Sequence, residues 1–207
     1  MRIIGIDEAG RGPVIGPLVM AALLKSPNLP QGLQDSKQLN PKQRLSLYTQ
    51  LCTHTYAVQI YDAQKINELM SAGINLNMIE VLMTVALIEK LRPQKVIMDC
   101  PSRNIPAFVE AIKQRLTFQV DIQAEYEADI HYPVVSGASI IAKVLRDQAI
   151  KDLEQQYGVS MGSGYPHDAK SIACLKTHGT LPVFRTHWQT YKKHRVQQQV
   201  LREKYEC

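Results

Sequence analysis

The chain alternates between two hydrophobic rhythms. Short apolar runs rich in β-branched residues predict strands over Arg2–Asp7, Pro17–Leu24, Tyr56–Tyr61, Lys95–Asp99 and Phe118–Glu125. Between them, apolar positions recur at three- and four-residue spacing, the mark of a helix buried along one face. That spacing predicts helices over Ala63–Ala72, Asn75–Leu91 and Ile105–Leu116. In the second, Ile79, Leu82, Met83, Ala86 and Leu87 share a face, and Pro93 closes it. Pro106 falls in the first turn of the third, where a missing N–H removes no helical hydrogen bond. A long helix is expected from near Pro133, with Val134, Ala138, Ile141, Ala142, Leu145 and Ala149 on its apolar face. The turn-rich loop Gly158–Pro166 follows, then helices at Asp168–Thr177 and roughly Thr186–Lys204. Three strands, then strands alternating with helices, predict an α/β sheet with antiparallel and parallel parts and a helical C-terminal appendage.

A chain of 207 residues, 45% of them apolar, fits one large domain with a small addition. No run approaches 18 apolar residues, so no membrane span is expected. The first strand lacks the apolar core and cleavage site of a signal peptide. Cys52, Cys100, Cys174 and Cys207 form no C-x-x-C pair, so free thiols in a reducing, cytoplasmic setting are expected. His131, His167, His178, His187 and His194 lack zinc-type spacing, so no zinc site is expected. Charge changes the picture more. The net charge is +5, and the last 26 residues carry Arg185, Lys192, Lys193, Arg195, Arg202 and Lys204 against only Glu203 and Glu206. Phe184, Trp188 and Tyr191 are interleaved with them, a composition that suits nucleic-acid contact and a solvated helix face equally.

Candidate chemistry sits where apolar runs end. Asp7 and Asp99 each follow such a run, and Glu8 adjoins the first. If the two strands are parallel neighbours, the acids meet at the sheet edge where α/β proteins bind ligands. Gathered carboxylates repel, and a divalent cation resolves the conflict; oxygen-only ligands favour Mg²⁺ or Mn²⁺. In "EYEADIHYP", Asp129 is a third candidate, or a helix N-cap, with Glu125 and Glu127 as competitors that spacing does not eliminate. Gly10-Arg11-Gly12 lets the backbone approach a ligand closely, and its amides and guanidinium suit a phosphate or sugar; a tight turn has the same form.

Five ordered segments carry a specific resemblance: "GIDEAGRGPVIGPLV" (Gly5–Val19), "DSKQL" (Asp35–Leu39), "IMD" (Ile97–Asp99), "ADIHYPVVSGASIIAKVLRD" (Ala128–Asp147) and "GSGYPHD" (Gly162–Asp168). Together they closely resemble ribonuclease HII, the type 2 ribonuclease H family, and the "DEAGRGP" form points to it over ribonuclease HIII. The resemblance implies a ribonuclease H-like five-stranded mixed sheet flanked by helices, with a helical C-terminal part. The division that follows is a catalytic domain over 1–166 and a substrate-binding region over 167–207. It implies an endonuclease that cleaves the RNA strand of RNA–DNA hybrids and incises 5′ of single ribonucleotides in duplex DNA. The family's four catalytic, metal-binding acids fall on Asp7, Glu8, Asp99 and Asp129. Its ribose-contacting turn falls on Gly10, Arg11 and Gly12, its stacking tyrosine on Tyr165, and its phosphate contacts on Ser36 and Lys37. Lys143 and Arg146 on the long helix are further expected phosphate contacts. Some family members end in a sliding-clamp-binding peptide; the best frame here, Gln198–Tyr205, has one terminal aromatic, so clamp binding is not expected, and a monomer is.

Phosphodiester hydrolysis of this kind uses two divalent ions about 3.5–4 Å apart, leaving 3′-OH and 5′-phosphate ends. Asp7 is the expected shared ligand. Neighbours along a strand point to opposite faces, so Glu8 is expected to act partly through its backbone carbonyl or through water. Specificity must come from the 2′-OH. A resolvase-like nuclease would use the same acids, but the GRG turn and Tyr165 favour ribose sensing. A non-catalytic binding module leaves the four acids unexplained, and a small-molecule α/β protein leaves the basic tail unexplained.

Overall fold

The computed structural model describes residues 1–33 and 39–195. Ser36, Lys37 and the frame Gln198–Tyr205 lie outside the described residues. The chain divides into two compact units, the first made of Met1–Ala9, Val19–Ile60 and Asn75–Leu145.

The first unit holds a five-stranded mixed sheet in the order β3-β2-β1-β4-β5. Its strands are β1 (Ile3–Ala9), β2 (Leu18–Leu24), β3 (Tyr56–Tyr61), β4 (Lys95–Asp99) and β5 (Asp121–Glu125). β1 pairs antiparallel with β2 and parallel with β4, and β4 pairs parallel with β5. The expected mixture of pairings is therefore present, with β1 at the centre. β1 runs two residues beyond the expected Asp7, because pairing with β2 continues through Glu8↔Met20 and Ala9↔Val19. Asp7 thus lies inside a strand and not at its end. The expected strand from Phe118 begins only at Asp121, opposite Lys95, where β4 first offers a partner.

Helix α1 (Pro41–Leu51), unanticipated from periodicity, starts with a reciprocal capping box between Asn40 and Gln43 and with Pro41 in its first turn. Only Leu51 of this helix is buried, which is why no apolar stripe announces it. Helices α2 (Ala63–Ser71), α3 (Leu76–Leu91) and α4 (Ile105–Lys113) match expectation closely. Asp62, Asn75 and Asn104 cap their first turns through side-chain oxygens. A short helix α5 (Ala128–His131) precedes the long α6 (Pro133–Tyr157), and α7 (Ala169–His178) follows. The core of the first unit joins Val19, Ala21 and Leu23 of β2 to Val134, Val135, Ala138, Ile141 and Ala142 of α6. Among the described residues, no single helix is long and apolar enough to cross a membrane.

The second unit gathers Gly10–Leu18, Tyr61–Ile74 and the chain from Arg146 onward. Its core packs Val14, Ile15, Ile150, Met161, Cys174, Leu175, Val183 and Phe184, with Trp188 and Tyr191 against it. Ile15 pairs antiparallel with Phe184 across an isolated bridge. Asn67 ties α2 to this core, donating to the Phe184 carbonyl at 2.8 Å and accepting from the Thr186 amide at 2.9 Å. Residues 189–195 are helical, a later start than the expected Thr186.

Candidate active site

In the first unit the parallel register of β1 and β4 pairs Ile6 with Met98, so Asp7 and Asp99 stand side by side one residue further on. Asp7 is only 5% exposed. Burial pushes its carboxyl from about 3.8 up to about 7, and the negative charge of Asp99 adds to the rise. A hydrogen bond from the Ser139 hydroxyl, the Lys143 ammonium and the Glu8 amide work in the opposite direction. The Glu8 amide donates to Asp7 Oδ1 at 2.7 Å. Asp99 Oδ1 accepts from the Ala128 amide at 3.3 Å, tying the end of β4 to α5.

Asp129 sits within α5 and is 3% exposed. It is not the N-cap considered from sequence; that position falls to Glu127, whose backbone turns left-handed at φ 57° and makes no side-chain cap. Of the three acids that spacing left open, Asp129 is the buried one; Glu125 is half-buried and Glu127 exposed.

Glu8 faces the other way. Side chains alternate along β1, and Glu8 pairs with Met20, whose sulfur accepts from the Thr84 hydroxyl of α3 at 3.3 Å. Glu8 therefore points to the α3 face of the sheet. There it raises the Cys100 thiol together with Asp99 and the fully buried Glu80, although burial is the largest cause of that rise. Ser139 and Glu80 were not singled out from sequence. Ser139 carried a usable signal, four residues before Lys143 on a helix, and Lys143 Nζ donates to its hydroxyl at 2.8 Å. Lys143 is thus turned toward Asp7 and not simply exposed.

Among the described residues, no three His, Cys, Asp or Glu side chains already converge as a metal cage. The donor chemistry nonetheless fits a hard divalent cation: carboxylate oxygens only, with a like-charge pair, buried Asp7 beside half-buried Asp99, that a cation would relieve.

In the second unit the glycine-arginine-glycine turn and the Tyr165 loop meet. Gly10 has φ 93°, and a Cβ there would stand 2.4 Å from the Pro17 carbonyl oxygen, so only glycine fits. A Cβ on Gly12 would stand 3.4 Å from Tyr165 Cε1, placing the ring directly over this residue. The Arg146 guanidinium lies 5.3 Å from the Tyr165 ring centre and donates to the Ser163 carbonyl and, at 3.3 Å, to Asp147 Oδ1. At 5% exposure it is directed into the protein, which departs from the expected phosphate contact. Asp168 holds the same loop, accepting from the Ser163 amide at 2.6 Å and the Lys170 amide at 2.9 Å. Hydrogen bonds to Ser163 lead the causes that lower its carboxyl to about 2.

The basic, aromatic tail resolves into different roles. Arg185 is fully buried and Phe184 is 1% exposed, so neither belongs to a surface. Lys192, Lys193 and Arg195 are exposed.

Comparisons with known proteins identify the family and the fold. A model of the family described as ribonuclease HII matches residues 4–191. The ribonuclease HII of Thermococcus onnurineus is 41% identical over 210 residues, covering 93% of this chain and 89% of its own. The crystal structure of the ribonuclease H2 from Pyrococcus horikoshii OT3 superposes with a TM-score of 0.84 at 37% identity, covering 95% of this chain and 98% of that one. Ribonuclease HII from Archaeoglobus fulgidus, solved in a complex with PCNA, gives a TM-score of 0.84 at 30% identity over 91% of this chain and 96% of that one. The chain belongs to the ribonuclease HII family, which makes it a metal-dependent ribonuclease H endonuclease.

Proposed function

We propose that this endonuclease, besides hydrolysing the RNA strand of RNA–DNA hybrids, incises duplex DNA on the 5′ side of single embedded ribonucleotides, by two-metal-ion hydrolysis that leaves 3′-OH and 5′-phosphate ends. The observation that carries the reading is Asp7: a buried carboxyl, its pKa raised by that burial, beside Asp99 at the parallel register of β1 and β4. Asp7, Asp99 and Asp129 would hold the ions, with Glu8 contributing through its backbone carbonyl, because its side chain lies on the α3 face. Mg²⁺ or Mn²⁺ so bound would offset the charge of the phosphate and lower the pKa of the attacking water. Ser139 and Lys143 orient the Asp7 carboxylate, one by its hydroxyl and the other by its charge.

The Gly10–Gly12 backbone reads the ribose 2′-OH, and Tyr165 offers a flat face to the sugar or base at the RNA-to-DNA junction. Ser36, Lys37 and Lys143 contact phosphates. Exposed Lys192, Lys193 and Arg195 extend the basic surface of the C-terminal substrate-binding region. The Archaeoglobus relative was solved with PCNA, which weighs against the expectation of no clamp binding.

The test is cleavage of a duplex with one embedded ribonucleotide, in Mg²⁺ or Mn²⁺, beside Asp7→Asn and an all-DNA control. Incision 5′ of the ribonucleotide, lost in Asp7→Asn and absent from the control, is the expected result. Cleavage of the all-DNA duplex would favour a junction nuclease instead. Cleavage of long hybrids alone would confine the enzyme to them.

A further inference from the structure

The segment after Val183 runs along the turn that contains Gly12 and fastens it carbonyl by carbonyl. Arg185 Nε donates to the Gly16 carbonyl at 2.9 Å, and Nη1 to the Arg11 carbonyl at 3.2 Å. The Arg185 amide donates to the Val14 carbonyl at 2.9 Å. Trp188 Nε1 donates to the Gly12 carbonyl at 3.1 Å, and the Arg185 guanidinium lies 4.9 Å from the Trp188 ring centre. Arg185 is fully buried, so its charge is spent inside the protein and not on a phosphate.

The Arg11 contact fixes more than one oxygen. The Arg11–Gly12 peptide is planar and trans, so its C=O and N–H point in opposite directions. With the Arg11 oxygen turned toward Arg185, the Gly12 N–H is turned away from it. On the other side of Gly12 the following residue is Pro13, which has no N–H, and the Gly12 oxygen is held by the indole. Glycine at this position has no side chain to restrict its own torsions. The orientation of the turn is therefore supplied by Arg185 and Trp188 from outside the motif.

We propose that Arg185, assisted by Trp188, is a positioning residue for ribose discrimination: the two side chains anchor the carbonyls of Arg11 and Gly12 and so hold the backbone of Gly10–Gly12 in the orientation that senses the 2′-OH. The proposal rests on the reading of that turn as the ribose contact. Lysine keeps the charge of Arg185 but cannot reach two carbonyls with a rigid fork. Phenylalanine keeps the packing of Trp188 but not its N–H donor.

The experiment measures two constants in Mg²⁺ for wild type, Arg185→Lys and Trp188→Phe. One is KM for a labelled duplex with one embedded ribonucleotide; the other is Ki for an unlabelled all-DNA duplex of the same sequence. The ratio Ki/KM reports 2′-OH sensing, while Ki alone reports backbone binding. The ratio is expected to fall by roughly tenfold in Arg185→Lys and about threefold in Trp188→Phe, through KM, with Ki unchanged. Circular dichroism and thermal melting establish folding; should Arg185→Lys fail to fold, Trp188→Phe decides. An unchanged ratio in folded Trp188→Phe, or equal rises in KM and Ki, overturns the clamp while leaving the ribose reading standing. A wild-type ratio near one overturns the ribose reading itself, and the clamp with it.

Discussion

The α-carbon of Gly5 lies directly against the first turn of α6: a methyl group built on it would stand 2.4 Å from the backbone carbon and oxygen of Val134 and 2.6 Å from the Val135 nitrogen. Backbone cannot yield as a flexible side chain would. Gly5 and Asp7 share a face of β1, so this contact sets how closely α6 brings Ser139 and Lys143 to Asp7. Gly5→Ala is expected to lower stability by about 2–3 kcal/mol, read as a shifted urea midpoint at unchanged m-value. Nuclease activity is expected to fall more than the folded fraction does, because the helix is displaced at the catalytic carboxyl.

Asp7 makes stability depend on pH and on divalent ions. Its folded pKa, about 7, lies above the usual 3.8, so between these values the folded chain binds a proton that the unfolded chain does not. Stability from this group is therefore complete below about 3.8 and declines as pH rises toward 7. Asp7→Asn removes the decline. In EDTA at pH 8 the variant is expected to exceed wild type in stability by on the order of 3 kcal/mol, with the difference vanishing near pH 4, as urea unfolding at the two pH values would show. Adding Mg²⁺ or Mn²⁺ is expected to stabilise wild type and leave Asp7→Asn little changed, while the variant shows no cleavage.

Strand and helix positions were legible where a local pattern carried them. β3 and β4 fall where alternation and apolar runs place them, and α3 where its stripe does. β1 extends two residues beyond its apolar run because Glu8 and Ala9 are kept in the strand by partners on β2, which the local sequence does not reveal. α1 shows no apolar stripe because Leu51 alone is buried outright and Leu47 and Tyr48 only partly, although Asn40, Pro41 and Gln43 carry its start signal. The acids were legible as types, and Asp129 was singled out by family resemblance; spacing alone left Glu125 and Glu127 open. That Glu8 faces away from Asp7 followed from strand alternation alone; what could not be read was the inward role of Arg185. A basic residue among aromatics looks the same in sequence whether it faces solvent or a set of backbone carbonyls.

The Tyr165 loop is pinned by Asp168. This carboxylate caps α7 through the Lys170 amide, accepts from Ser163, and its own amide donates to the Tyr165 carbonyl at 3.1 Å. Asp168→Ala is expected to cost about 1 kcal/mol at neutral pH. The folded pKa is lowered to about 2, so this contribution is present above the usual value of 3.8 and is lost as pH falls from there toward 2. Unfolding curves of wild type and variant should therefore converge in that acid window. KM for the single-ribonucleotide duplex is expected to rise in the variant at neutral pH, since Tyr165 is no longer held.

Tyr165 itself separates stacking from hydrogen bonding. Its ring lies over Gly12 on one side and is approached by the Arg146 guanidinium at 5.3 Å, so the aromatic face is preorganised before any substrate arrives. Tyr165→Phe keeps the ring and both contacts, and is expected to retain kcat/KM within about threefold on the single-ribonucleotide duplex. Tyr165→Ala removes the face and is expected to lower kcat/KM by roughly tenfold to a hundredfold. Arg146→Met, which keeps the apolar stem but removes the guanidinium from Ser163 and the ring, should fall between them. Equal losses in Tyr165→Phe and Tyr165→Ala in steady-state kinetics would shift the role of this residue from its ring to its hydroxyl.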